Sequence, residues 1–95
     1  VSSVNKVWYV YLLQCQNGSL YTGITTDVAR RFAKHGSGKG AKFTRSNPPQ
    51  KILAATPCAN RAEASKLEWR VKTLTPIQKR ALAAEWPLQE GLPVL

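Results

Sequence analysis

Arg31 and His35 stand four residues apart, a spacing that brings two side chains to one face of a helix, close enough to serve a common site. His35 is the only histidine. The same spacing also allows a purely structural arrangement, with Arg31 paired to Asp27 one turn earlier and His35 at a helix end favoured by the dipole. Glu68 occupies a less ordinary position. On a helix it falls about 60° around from Val71 and about 40° from Ala64, at the margin of an apolar stripe that partly shelters a carboxylate. Such a group is a hard oxygen ligand for Mg²⁺, which takes one or two carboxylates, keeps several waters and accepts phosphate oxygens. The alternative is an ion pair with Lys72 four residues on, in the favourable order of acid before base. Tyr9, Tyr11 and Tyr21 lie on two strand-like runs, with Tyr9 and Tyr11 on one face because strand side chains alternate. Packing on a half-buried sheet accounts for any one of them, so they carry chemistry only as members of a larger pattern.

Gly36-Ser37-Gly38-Lys39-Gly40-Ala41 has the letters of a dinucleotide fingerprint, but it follows a helical segment where the fingerprint needs a strand. No Gly-Lys-Ser/Thr occurs at P-loop spacing. The segment reads as a basic lip for a phosphate backbone or as a solvated loop. Fourteen Lys and Arg oppose five Asp and Glu, a net +9 spread along the chain rather than gathered in a tail. A polyanion is the expected partner. No run of ~18 apolar residues and no basic amphipathic helix with large apolar side chains suits a membrane. The opening Val1-Ser2-Ser3-Val4-Asn5-Lys6 lacks the layout of a secretory signal, so a cytoplasmic location is expected. Cys15 and Cys58 fit no zinc spacing and are expected as free thiols with a packing role.

The elements that would position these side chains follow from local patterns. Val7 to Leu13 is a β-branched and aromatic run too apolar for an exposed edge and is expected as a central strand. Asn17-Gly18 suits the positive φ angles of a tight hairpin, and Leu20 to Thr25 supplies the second strand. Asp27 can cap a helix carrying Val28 and Phe32, ended by Gly36, Gly38 and Gly40. A basic loop from Gly36 to Gln50 precedes a third strand, Ile52 to Thr56. Asn60 and Glu63 have the form of a capping box ahead of a helix with Ala64, Leu67, Val71 and Leu74 on one face. Thr75-Pro76-Ile77-Gln78 starts a third helix reaching about Glu85, stopped by Trp86-Pro87. The order β-β-α-β-α-α predicts an α+β fold, a small three-stranded antiparallel sheet flanked by helices. At 95 residues one domain is expected, with its core from about residue 7 to 86 and a tail, 87–95, along the surface.

Tyr9-Val10-Tyr11 and Tyr21-Thr22-Gly23, with Tyr11 and Tyr21 ten residues apart across the expected hairpin, resemble the two signature tripeptides of the GIY-YIG nuclease superfamily. Tyr9 stands where the first signature has Gly, and Val10 where it has Ile. Arg31, eight residues after Gly23, then His35 on the same helix and Glu68 on a later one, follow the order of the superfamily's arginine, frequent histidine and metal-binding glutamate. Together with Gly40-Ala41-Lys42-Phe43-Thr44-Arg45, the chain is similar to the small stand-alone bacterial branch, from about Trp8 to Leu82.

The resemblance implies the GIY-YIG fold and a metal-dependent endonuclease, a phosphodiester hydrolase acting on DNA, as DNA-repair members of the superfamily do. Branched and single-stranded DNA are among the candidate substrates, and RNA is a further one. By the same resemblance Glu68 holds one divalent ion, Mg²⁺ or Mn²⁺, and Arg31 stabilises the charge of the transition state. Tyr11, with Tyr21 or His35 beside it, orients or deprotonates the water, and a phenolate there would need nearby positive charge. Gly23 belongs to the second signature as a structural residue. Lys39, Lys42, Arg45 and Lys72 would contact phosphates on either side of the cut, giving affinity with little sequence selectivity. Target choice then falls to nucleic-acid shape, to a protein partner or to loose selection. Two other readings stay open: a non-catalytic nucleic-acid-binding module on the same scaffold, and a protein-interaction domain whose charge keeps it soluble.

Overall fold

The computed structural model describes residues 7–36 and 47–89; the side chain of His35 falls outside that description, as do residues 1–6, 37–46 and 90–95. Strand β1 (Trp8–Cys15) is central, as its composition predicts. Val10, Tyr11, Leu12 and Leu13 are buried in succession, which requires cover on both faces of the sheet. Its neighbour β2 (Leu20–Thr25) forms one edge, and all pairings are antiparallel in the order β2-β1-β3-β4.

The β1–β2 turn differs from a two-residue hairpin. The Cys15 N–H donates to the Ser19 carbonyl at 2.8 Å and the Gly18 N–H to the Cys15 carbonyl at 2.9 Å, leaving Gln16-Asn17-Gly18 as the loop. Of these three only Gly18 takes a positive φ, 87°, which fits a type I turn followed by a left-handed glycine. Asn17 contributes through its side chain instead, accepting from the Ser19 N–H at 2.9 Å and the Ser19 hydroxyl at 2.6 Å. Asn therefore works here as a turn-forming amide rather than as a residue tolerant of positive φ.

Helix α1 (Val28–Gly36) begins where expected, with the Asp27 carboxylate accepting from the Arg30 N–H at 3.1 Å. Strand β3 (Pro49–Cys58) is longer than the expected Ile52 to Thr56. It starts inside the segment read as loop because Pro49 takes the first strand position, where its missing N–H costs no ladder bond, and register shifts absorb the extra length at Leu12/Leu13 and Gln14/Cys15. Helix α2 (Arg61–Lys72) is capped by Asn60, whose side chain accepts from the Glu63 N–H at 2.9 Å. The Glu63 carboxylate turns to Lys66, at 3.5 Å, rather than back to the cap. Helix α3 (Pro76–Ala83) has both halves of its capping box: Gln78 N–H to the Thr75 hydroxyl at 3.2 Å, and Thr75 N–H to the Gln78 side-chain oxygen at 2.9 Å.

The expected three-stranded sheet has a fourth strand, β4 (Leu88–Gln89), drawn from the segment read as a surface tail. Trp86 is buried beside α3, and the chain leaving it returns along β3, where Leu88 pairs with Ala55 and Gln89 with Ala54. That pairing gives main-chain partners to an otherwise open edge.

Alternation along β1 divides the interior. Val10 and Leu12 pack with Ala54, Ala64, Val71, Ala83 and Trp86, so α2 and α3 cover one face. Tyr11 and Leu13 pack with Ala55 and Val28, so α1 covers the other. The result is an α+β fold, a four-stranded antiparallel sheet flanked by three helices. Cys15 and Cys58 are free thiols, as expected. Among the described residues no helix is long and apolar enough to cross a membrane.

Candidate active site

Tyr11 pairs with Gly23, Leu13 with Tyr21 and Tyr9 with Thr25. Directly paired residues share a face, so all three tyrosines lie on the side of the sheet that α1 covers. A methyl group at position 23 would overlap the Tyr11 hydroxyl and stand 2.6 Å from its Cζ and 3.0 Å from its Cε2. The Tyr11 ring therefore occupies the space that a side chain on residue 23 would fill, and lies across β2. Because β2 is the edge strand, the ring carries the hydroxyl from the central strand toward the margin of the sheet. The Tyr21 ring stands beside it, with centroids 6.4 Å apart and planes tilted by 42°.

Charged side chains from helices on both faces of the sheet act on the Tyr11 phenol. Arg31 projects from α1, half-buried, and Glu68 from α2, its side chain 23 % exposed. Their proximity registers in the Tyr11 phenol, which is raised well above its ordinary range. Burial is the main cause and Tyr21 raises it further; the Arg31 guanidinium lowers it and the Glu68 carboxylate raises it again. Four of the five residues singled out, Tyr11, Tyr21, Arg31 and Glu68, are thus electrostatic neighbours around one phenol.

His35 lies on α1 one turn beyond Arg31, with its side chain outside the described residues. Lys39, Lys42 and Arg45, with the glycine-containing loop from Ser37 to Ala41, lie outside them too. Lys72 is described, exposed and paired with Glu68 at 3.2 Å, the ion pair weighed as the structural alternative for that glutamate. No Arg31–Asp27 ion pair forms among the described residues; the Asp27 carboxylate caps α1 by accepting from the Arg30 N–H.

Positive charge does not dominate at Tyr11, as a phenolate base would require. Burial and the neighbouring acids outweigh Arg31, and Tyr11 is held as a phenol that can donate or accept a hydrogen bond. Among the described residues no three His, Cys, Asp or Glu side chains gather into a cluster able to hold a metal. The donor set that is present, one half-sheltered carboxylate at an open margin, suits Mg²⁺, whose remaining positions are taken by waters and phosphate oxygens.

Arg30 and Lys34 were not among the residues singled out, yet they line with Arg31, Thr25, Thr26 and Asp27 a depression at the start of α1. The signal for them was the basic cluster Arg30-Arg31 and Lys34, spaced one turn apart. Thr22, between the signature tyrosine and glycine, is 3 % exposed, and its hydroxyl has no hydrogen-bond partner among the described residues; nothing in its sequence context announces that.

The model of the GIY-YIG catalytic domain family matches residues 7–81. A UPF0213 protein of Cupriavidus necator is 52 % identical over 88 residues, covering 93 % of this chain and 96 % of that protein. A UPF0213 protein of Xanthomonas campestris is 48 % identical over 87 residues, covering 92 % and 81 %. Among solved structures, the UPF0213 protein BH0048 of Bacillus halodurans is 46 % identical with a TM-score of 0.52, and the protein EF2693 of E. faecalis is 41 % identical with a TM-score of 0.57. Each covers 82 % of this chain, which covers 83 % of each. With the two tyrosines, the glycine beneath one of them, and an arginine and a glutamate whose charges act on the buried phenol, the chain belongs to the GIY-YIG nuclease family.

Proposed function

We propose that the protein is a metal-dependent endonuclease that hydrolyses phosphodiester bonds in DNA, with its site at the β2 edge. The observation that carries this reading is the Tyr11 ring laid over Gly23 and beside the Tyr21 ring, 6.4 Å away, with the charges of Arg31 and Glu68 from two further elements acting on its phenol. Glu68 is the residue that would hold a divalent ion, Mg²⁺ or Mn²⁺, which supplies Lewis acidity toward the phosphate. Arg31 presents a fixed positive charge to the oxygens that gain charge in the transition state. The Tyr11 hydroxyl, held as a phenol, orients the attacking water by hydrogen bonding, and Tyr21 fixes the ring from the side. His35, one turn along α1 from Arg31, is the group suited to exchanging a proton near neutral pH. Lys72, with Lys39, Lys42 and Arg45, supplies phosphate contacts.

The test is cleavage of labelled single-stranded, duplex and branched DNA in Mg²⁺ or Mn²⁺ by wild type, Glu68→Gln and Arg31→Ala. Metal-dependent cutting that falls by about a hundredfold or more in both variants, with DNA binding retained, is the expected result. Salt-sensitive binding with equal, negligible cutting by all three proteins would overturn it in favour of a non-catalytic nucleic-acid-binding module.

A further inference from the structure

Trp69 is 70 % exposed on α2. The buried side of that helix is made by Ala64 and Val71, so the indole contributes nothing to the core. The other two tryptophans are engaged: Trp86 is buried in the core, and Trp8 lies under the Arg61 guanidinium, 5.5 Å from the ring centroid. Trp69 directly follows Glu68, which places it about 100° further around the same helix, on the solvent side of the proposed catalytic carboxylate.

The surroundings of the indole are basic. Ser65, Lys66 and Arg70 line a shallow depression with it, and Lys72 lies one turn on. Lys66 is paired with Glu63 at 3.5 Å and Lys72 with Glu68 at 3.2 Å, in both cases with more than half of the lysine side chain in water. A flat, exposed aromatic ring among cations whose ion pairs are weak and solvent-screened suits a ligand offering both a π-face and negative charge.

We propose that Trp69 is a stacking platform for a base of an unpaired nucleic-acid strand, with Lys66, Arg70 and Lys72 meeting the flanking phosphates. The inference rests on the nuclease reading for the meaning of Glu68, and it narrows the substrate to single-stranded or locally opened nucleic acid. In a duplex the base faces are covered by their neighbours, and a ring on a convex helix surface reaches only groove edges and phosphates. A strand with accessible bases can lay one on the indole while its backbone follows the basic residues. The chain's charge of +9 favours a polyanion over a protein surface as the occupant.

The experiment is binding of fluorescently labelled oligothymidylate and of a duplex of equal length, in EDTA so that no cleavage occurs, by wild type, Trp69→Ala and Trp69→Phe. Replacing the ring by alanine is expected to weaken oligothymidylate binding about fivefold to a hundredfold, with duplex binding unchanged and the salt slope retained, because no phosphate contact is removed. Phenylalanine should restore most of the affinity. Tryptophan emission accessible to iodide should fall when oligothymidylate binds wild type and remain steady for Trp69→Ala. Equal oligothymidylate affinity in wild type and Trp69→Ala would overturn the proposal, as would equal losses for both nucleic acids, which would mark a general structural defect. A concentration-dependent dimer that Trp69→Ala abolishes, with oligothymidylate binding unchanged, would assign the surface to a second copy. The nuclease reading is judged separately: cutting that depends on Glu68 while Trp69→Ala binds like wild type leaves that reading standing and removes only the platform.

Discussion

The Tyr11 ring lies over Gly23, its register partner on β2, and fills the volume that any side chain at residue 23 would need. Glycine at this position is therefore a packing requirement of a tyrosine on the neighbouring strand. Backbone conformation is not the reason, because Gly18 is the only glycine with positive φ among the described residues. The missing Cβ lets a residue of the central strand lay its phenol across β2, where the charges of Arg31 and Glu68 act on it.

Gly23→Ala is expected to displace the Tyr11 ring. The added methyl meets the phenol end of a buried side chain, an overpacking that costs about 1–3 kcal/mol. Urea denaturation measures the stability loss, and the same variant should lose cleavage because the hydroxyl no longer lies at the margin. In a Tyr11→Ala background the cost of Gly23→Ala should shrink toward zero, giving a strongly non-additive cycle. Additive losses would mean that the methyl clashes with something other than Tyr11.

The parts of this arrangement that could be read in the sequence are those set by short-range chemistry. Strand composition placed β1 and β2, and Asp27, Asn60 and Thr75 announced their helices because capping is a local hydrogen bond to a residue three positions on. What was missed depends on distant partners. β4 exists because Ala54 and Ala55 offer an edge to Leu88 and Gln89, and β3 starts at Pro49 because Cys15 lies opposite it. At the site, residue identities and order were legible, and Gly23 was recognised as part of a signature. Its reason, the ring lying over it, required the β1–β2 register. The raised Tyr11 phenol likewise follows from burial between layers, which residue spacing does not report.

Stability at high pH should carry the mark of Tyr11. An unfolded tyrosine ionises near ~10, whereas burial, reinforced by Tyr21, delays ionisation of the folded phenol to higher pH. The stability held by the neutral phenol is then complete below about pH 10 and is lost as pH rises toward the folded value, because only the unfolded chain gives up the proton in that window. Cys15 and Cys58, whose thiols are also raised by burial, act in the same direction, so the comparison that isolates the phenol is wild type against Tyr11→Phe. Their urea midpoints should run parallel through neutral pH, and wild type should fall relative to the variant above about pH 10. Curves that stay parallel there would show that the phenol is not sheltered.

Lys72 is the cation that a divalent ion at Glu68 would have to displace. The pair is 3.2 Å apart, with the lysine side chain 53 % exposed and the glutamate 23 %. A helical pair of this spacing whose lysine reaches water is worth about 0.3–0.5 kcal/mol, so little would hold the carboxylate to the ammonium if a divalent ion competed for it. Lys72→Ala removes that competitor, leaves Glu68 in place and costs less than about 0.5 kcal/mol in denaturation. The variant should bind Mn²⁺ more tightly, followed through loss of the free-ion resonance signal in EPR without nucleic acid, and Glu68→Gln should bind it more weakly. If Lys72 also meets a phosphate once released from Glu68, the slope of log affinity against log salt should flatten by about 0.7 for a single strand. Mn²⁺ binding that is weaker in Lys72→Ala than in wild type would mean that the lysine orients Glu68 for the metal rather than competing with it.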